Sequence, residues 1–144
     1  MDVWVDAPAR PTAVLSTATS PLGSQANKDE LGRATWTLLH VLAAQFPEEP
    51  TRSQQKDVKT LIGLLTRIYP CADCAKHFKE VVRHDPPTVS SGTELQQWMC
   101  RVHNVVNRSL DKPTFNCNFV GARWGALDCG EQLACDMTVG RPRK

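Results

Sequence analysis

Three short stretches constrain this chain more than anything else in it. Asn27 stands three residues before Glu30, Thr51 three before Gln54, and Ser91 three before Glu94. Each is a capping-box pattern: a short polar side chain accepts from the backbone of the first helical turn, and an acid or amide reaches back to the cap. Each is followed by apolar residues at helical spacing. The first run is Leu31, Thr35, Leu38, Leu42 and Phe46, closed by Pro47 and Pro50. The second is Val58, Leu61, Ile62, Leu65, Ile68 and Tyr69, a broad stripe ended by Pro70. The third is Leu95, Trp98, Met99, Val102, Val105 and Val106, broken at Lys112-Pro113.

Pro70 can also open the next helix, because proline is tolerated at a first helical position. That helix is expected from about Cys71 to Arg83, burying Cys74, Ala75, Phe78 and Val82, with His84-Asp-Pro-Pro-Thr88 as a loop. A short fifth helix is expected over Asn118 to Trp124. No strand alternation of useful length and no internal repeat is present. The expected fold is therefore all-α, a four-helix bundle with a short fifth helix.

A length of 144 residues suits one domain with loose ends. Residues 1–26 are read as a flexible extension rich in Pro, Ala, Ser and Thr, 27–125 as the folded domain, and 126–144 as a tail. A net charge of +2 makes a weak electrostatic case for nucleic acid. No apolar run approaches the roughly 18 residues of a membrane span, so a soluble protein is expected. Asp2 and Asp6, with no continuous apolar stretch beside them, make a poor secretory signal.

Six cysteines are more than a reducing compartment usually tolerates without a redox or metal role. Tyr69-Pro-Cys-Ala-Asp-Cys74 places two of them at an expected helix N-terminus. Free N–H groups and the helix dipole there stabilise a thiolate, the species that attacks disulfides and flavins. The bland reading of this C-x-x-C is a local staple. Without a βαβ pattern, a thioredoxin-like fold is discounted.

Cys100 and Cys117 could tie the fourth helix to the fifth, closing a loop worth about 3 kcal/mol on the chain-entropy model. An alternative uses Cys71, Cys74, Cys100 and His103 as C-x2-C…C-x2-H, an acceptable zinc spacing that would make the chain a helical interaction module. Cys129 and Cys135 lie past the last helical pattern among glycines. They could be a mobile shuttle pair, a surface disulfide that closes the tail, or an intersubunit link. A plain disulfide scaffold without catalysis is the third reading.

Four ordered blocks then carry a resemblance. Leu31-Gly-Arg-Ala-Thr-Trp-Thr-Leu-Leu-His40, Tyr69-Pro-Cys-Ala-Asp-Cys74, Trp98-Met-Cys-Arg-Val-His-Asn-Val-Val-Asn107 and Arg123-Trp124 resemble the Erv1/ALR sulfhydryl oxidases. The resemblance runs from Gly32 to Trp124. It implies a helical, usually homodimeric protein with FAD held at one end of the bundle. Such a protein oxidises protein dithiols and passes electrons to oxygen or cytochrome c.

By resemblance, Cys71 exchanges with incoming thiols and Cys74 meets the flavin ring, while Cys100 and Cys117 form a structural disulfide. Gly32, Arg33, Trp36, His40, Tyr69, Cys74, Cys100, His103, Asn104, Asn107, Lys112, Arg123 and Trp124 fall on flavin-contacting positions. The residue types suit such contacts, since aromatics and His stack on flat rings, Asn bonds ring heteroatoms, and Arg and Lys neutralise a pyrophosphate. Taken singly, Trp36 and Trp98 would more often be core, His40 a satisfied core histidine, and Lys112 and Arg123 solvated charges. Animal and fungal relatives usually carry their shuttle cysteines before the domain. Here no cysteine precedes Cys71, and the pair Cys129 and Cys135 looks closer to the plant-type arrangement. The resemblance also implies the mitochondrial intermembrane space, rather than the endoplasmic reticulum, and an import-relay oxidoreductase as dithiol substrate.

Overall fold

A computed structural model of the chain describes residues 25–127. It holds four long helices: α1 (Lys28–Gln45), α2 (Arg52–Ile68), α3 (Ala72–His84) and α4 (Gly92–Ser109). A 3₁₀ turn, Cys117–Phe119, leads into a short α5 (Val120–Trp124). There is no strand among the described residues. The all-α architecture expected from the helical periods is the one seen. The fifth element is the one whose start differs: it opens as a 3₁₀ turn and becomes α-helical only at Val120.

The first two capping boxes form in full. Asn27 Oδ1 accepts the Glu30 N–H at 2.9 Å and Glu30 Oε2 accepts the Asn27 N–H at 3.3 Å. Thr51 Oγ1 accepts the Gln54 N–H at 3.1 Å and Gln54 Oε1 accepts the Thr51 N–H at 2.9 Å. The third forms by half. Ser91 Oγ accepts the Glu94 N–H at 3.1 Å, but the Glu94 carboxylate accepts the Ser90 hydroxyl instead of returning to the Ser91 backbone. A neighbouring serine offered that acid a competing donor.

Cys71 is the N-cap of α3, with its sulfur accepting the Cys74 N–H at 3.4 Å. Pro70 therefore precedes the cap and does not occupy the first helical position. Helix α3 turns Ala75 and Val81 inward, leaving Cys74, Phe78 and Val82 half-buried.

Helix α1 corrects the expected stripe. It buries Gly32, Trp36, Leu39, His40 and Ala43, with Phe46 just beyond its end, and leaves Leu38 63% exposed. Apolar residues stand side by side at Leu38-Leu39 and Val41-Leu42, so the period allows two stripes rotated by one residue. Packing selected the one that carries Trp36 and His40 toward α4.

Helix α4 is the centre of the molecule. Leu95, Trp98, Met99, Cys100, Val102, His103 and Asn107 are fully buried on it, because α1, α3 and α5 all pack around it. Helix α2 lies outside, against α3. Trp98 satisfies its one donor by giving Nε1–H to the Asp85 carbonyl at 2.8 Å, and the Asp85 carboxylate pairs with Arg101 at 3.2 Å. Gly92 is the first residue of α4, and a Cβ there would collide with the Phe46 carbonyl. Glycine is what lets the end of α1 approach the start of α4 so closely.

Cys100 and Cys117 are bonded, with Cα atoms 5.8 Å apart, and tie α4 to the 3₁₀ turn. Asn104 reinforces the tie. Its Nδ2 donates to the Phe115 carbonyl and its Oδ1 accepts the Phe115 N–H, both at 2.9 Å. Converting Cys100 and Cys117 to alanine should lower unfolding free energy by about 3 kcal/mol, read by urea titration. An unchanged midpoint would mean that the loop is held by Asn104 alone.

None of the described helices is long and apolar enough to cross a membrane. The extension expected over 1–26 lies almost wholly outside the described residues, as do Cys129 and Cys135.

Candidate functional site

A cleft of about 330 Å³ opens between the four long helices. Its walls are Thr35, Trp36 and Leu39 of α1, Leu65 and Tyr69 at the end of α2, Cys74 and Phe78 of α3, and Val106 and Leu110 at the end of α4. Lys28, Asp73, His77 and Ser109 add polar groups. The Tyr69 and Thr35 hydroxyls lie 3.4 Å apart, linking α2 to α1. The volume and the largely apolar lining, with a few polar groups, are those of a small-molecule site.

Cys71 and Cys74 form a disulfide, with Cα atoms 5.2 Å apart. The two sulfurs have different surroundings. Cys74 lines the cleft, one helical turn into α3, whereas Cys71 caps the helix and is not part of the cleft wall. A thiolate formed at Cys71 would keep the Cys74 N–H and the positive end of α3 beside it. The pair thus joins a sulfur at a helix cap to one on the cleft wall.

Behind the cleft sits a cluster of flat rings from three helices. Trp36 and His103 stack with centroids 3.9 Å apart and planes 4° apart. His40 and Trp124 stack at 4.8 Å and 6°. His40 Nε2 and His103 Nδ1 are 2.8 Å apart, so one ring donates and the other accepts. Phe78 meets Trp36 edge-on at 6.2 Å, which connects the rings to the cleft. The Arg123 guanidinium lies 3.9 Å above the Trp124 ring.

Burial pushes the pKa of both histidines far below the usual value, with the Arg123 charge adding to the effect at His40 and the His40 charge at His103. Both rings are therefore neutral at pH 7, and their mutual hydrogen bond joins the N–H of one to the bare nitrogen of the other.

Helix α4 carries two buried asparagines with opposite situations. Asn104 is occupied by the Phe115 backbone and lies within 3.5 Å of the Cys117 sulfur. Asn107 is fully buried, and neither its amide nitrogen nor its amide oxygen has a hydrogen-bond partner among the described residues. An unmatched amide of this kind costs about 1–3 kcal/mol per group, so its retention points to a partner outside the chain.

Of the residues singled out in the sequence, the fold brings Trp36, His40, His103, Arg123 and Trp124 into one cluster, and Tyr69 and Cys74 into the adjoining cleft, with Trp36 shared between them. Gly32 is buried on α1, Arg33 is exposed, and Lys112 is half-buried. None of these three lines the cleft. Leu39, Phe78, His77 and Val106 do, and the sequence did not single them out as site residues. His77 and Phe78 stand three and four residues after Cys74, so helical geometry alone would have placed them on its face.

The zinc reading fails. Cys100 is bonded to Cys117, Cys71 to Cys74, and His103 is stacked on Trp36 and hydrogen-bonded to His40. Among the described residues no group of three or more His, Cys, Asp or Glu side chains could hold a metal ion.

The profile of the Erv1 / Alr family matches residues 33–125. The FAD-linked sulfhydryl oxidase ERV1 of Arabidopsis thaliana is 59% identical over 110 residues, covering 76% of this chain and 57% of that protein. The mitochondrial FAD-linked sulfhydryl oxidase ERV1 of Saccharomyces cerevisiae is 47% identical over 96 residues, 67% of this chain and 51% of that protein. The chain spans about half the length of the curated relatives it matches. Among solved structures, the FAD binding domain of Erv1 from Saccharomyces cerevisiae superposes with a TM-score of 0.68 at 44% identity, covering 70% of this chain and 96% of that one.

Proposed function

The chain belongs to the Erv1/Alr family, and from that premise we propose that it is an FAD-dependent thiol oxidase that forms disulfides in protein substrates. The observation that carries this reading is the Cys71–Cys74 disulfide, with one sulfur on a helix cap and the other on a cleft wall beside Trp36, Tyr69 and Phe78. The residues present fit a flavin. Asn107 offers a buried donor and acceptor to ring heteroatoms. Trp36 lines the cleft as a flat ring against which a planar heterocycle can pack, and His40, His103 and Trp124 are assigned to the same surface by the family resemblance. Arg33, Lys112 and Arg123 offer charge to a pyrophosphate. Gly32, Tyr69, Cys100 and Asn104 are the remaining residues assigned to that surface. When bound, FAD supplies the two-electron acceptor that the protein itself lacks.

The protein's own part is thiol–disulfide exchange. A substrate thiolate attacks the Cys71 sulfur, the Cys71–Cys74 bond breaks, and Cys74 leaves as a thiolate facing the cleft. The second substrate thiolate attacks the sulfur bonded to Cys71. This releases the substrate as a disulfide and leaves Cys71 as a thiolate, which the Cys74 N–H stabilises. Neutral His40 and His103 add no positive charge to that of Arg123 beside the aromatic cluster. Electrons leave to oxygen or cytochrome c.

The folded unit is residues 27–125, and Cys129 and Cys135 in the tail act as the shuttle pair. The protein works in mitochondria, in the intermembrane space, on dithiol proteins that include an import-relay oxidoreductase. It forms a homodimer, a reading supported by the exposed apolar side chains of Leu38 and Ile68. Purified protein is expected to be yellow and to consume oxygen when given dithiothreitol. A folded, colourless preparation without oxygen uptake would end this reading.

Asn107→Leu gives an independent check. It should stabilise flavin-free protein by about 1–3 kcal/mol, by removing two unmatched polar groups at similar volume. It should also reduce the flavin recovered per chain. A variant destabilised without flavin would show that Asn107 has protein partners after all.

A further inference from the structure

Helix α2 has two faces of different character. Val58, Leu61, Ile62 and Leu65 turn inward. On the opposite side Arg52, Lys56, Lys59, Gly63 and Arg67 line a shallow groove. Their spacing keeps them within one narrow arc of the helix, while Asp57, the single acid of α2, falls outside it. The four cations are exposed, and the ion pairs seen among the described residues, Arg83–Glu80 and Arg101–Asp85, do not involve them. Between Arg52 and Arg67 the stripe is about 22 Å long. Gly63 leaves open space at its middle. The stripe ends four residues before Cys71.

One segment of this chain matches it in charge and length. Asp128, Glu131 and Asp136 surround Cys129 and Cys135, and no cation falls among these nine positions. Extended, that segment would cover about 27 Å. We infer that the basic face of α2 is the docking surface for the acidic cysteine segment 128–136. This inference rests on the oxidase reading above and assigns its shuttle a track.

Reach decides which cysteine arrives. The Gly125 carbonyl is held by Gln45 at the C-terminal end of α1, at 3.2 Å. Tyr69 meets α1 at Thr35, about 15 Å back along that helix. Four residues beyond Gly125, Cys129 extends at most about 14 Å, whereas Cys135 extends about 35 Å. Cys135 is therefore the attacking thiolate within a chain. It bonds to the Cys71 sulfur, the Cys71–Cys74 bond breaks, and Cys74 leaves as a thiolate. The segment then leaves the stripe and folds back, which brings the Cys129 thiolate to bond to Cys135 and expel Cys71 as a thiolate. The tail pair is oxidised by two electrons, the α3 pair is reduced by two, and the two thiol protons pass to solvent.

The test uses flavin-loaded full-length chain carrying Cys129→Ser and Cys135→Ser. Its probe is a reduced synthetic peptide of residues 126–138, compared with the same peptide bearing Asp128→Asn, Glu131→Gln and Asp136→Asn. The acidic peptide should reduce Cys71–Cys74 about tenfold faster than the neutral one at low salt. The advantage should vanish in about 0.5 M salt, where screening confines charge effects to a few ångströms. Lys56→Glu with Lys59→Glu should remove the advantage while leaving the dithiothreitol rate unchanged. Equal rates for the two peptides, or an advantage that survives charge reversal, would overturn the docking surface. Failure of dithiothreitol itself to be turned over would instead overturn the oxidase reading, and this inference with it.

Discussion

Cys74→Ala abolishes dithiol turnover, by about a thousandfold or more, while leaving the flavin bound. A disulfide exchanges only if both sulfurs are present, so the alanine variant has no disulfide to offer an incoming thiol. Cys74 is half-buried and small, so the loss of its sulfur leaves the core around Ala75 and Val81 in place. The freed Cys71 still caps α3, where the helix N-terminus favours its thiolate. It should therefore react with iodoacetamide at neutral pH faster than an ordinary exposed cysteine. Oxygen uptake with dithiothreitol, flavin absorbance and alkylation rate check the three parts separately. Turnover that survived in Cys74→Ala would remove the cleft-facing sulfur from the reaction path.

Acid should unfold this protein well before its carboxylates are protonated. In the folded state burial holds His40 down to about 3, and His103 is likewise pushed far below its ordinary value. In the unfolded chain both return to about 6.5. Below that value the unfolded state binds more protons than the folded one, so stability is complete above pH 6.5 and falls as pH drops. Between pH 7 and pH 5 each histidine removes about 2 kcal/mol, and the two together about 4 kcal/mol. The loss continues downward until the folded pKa values are reached. Urea midpoints at pH 7, 6 and 5 check this. Replacing His40 and His103 with asparagine should flatten the slope, and a flat profile in the native protein would show that the rings accept protons in place.

The physical cause of that sensitivity is the ring cluster itself. His40 comes from α1 and His103 from α4, each flanked by an indole. Charging either ring would place a cation against its neighbour, which already lies 2.8 Å away, with the Arg123 guanidinium above Trp124 nearby. A site that must keep an aromatic cofactor dry benefits from neutral stacking partners. The same burial makes the fold dependent on their neutrality.

Much of the architecture was legible in one dimension because its signals are local. Asn27, Thr51 and Ser91 each mark a helix start, and each does cap one. A cap needs only residues within one turn, so its chemistry is complete in the sequence. The four-helix organisation followed from periods closed by Pro47, Pro70 and Pro113. Tyr69, Cys74, Trp36, His40, His103 and Trp124 were all marked out, and the fold gathers them at one place.

What stayed hidden depends on neighbours that the sequence does not order. Leu38 and Leu39 satisfy the helical period equally well, and only the position of α4 chose between them. Glu94 could serve Ser91 or Ser90, a competition between adjacent donors. Asn104 and Asn107 read alike, three residues apart on one helix. Yet the first is consumed by the Phe115 backbone and the second is left with an unmatched amide, because the Cys100–Cys117 bond brings the 115–117 segment to one and not the other.

The sequence alone determined the helices, the family resemblance and the close spacing of Cys71 and Cys74. Caps, periods and a C-x-x-C are written in residues close together along the chain. Tertiary structure decided that Cys74 lines a cleft while Cys71, on the cap of α3, does not, and that four rings from three helices stack behind it. It also decided that Cys100 belongs to Cys117 and not to a metal. Each of these depends on distances between segments far apart in the chain, and packing alone sets those distances.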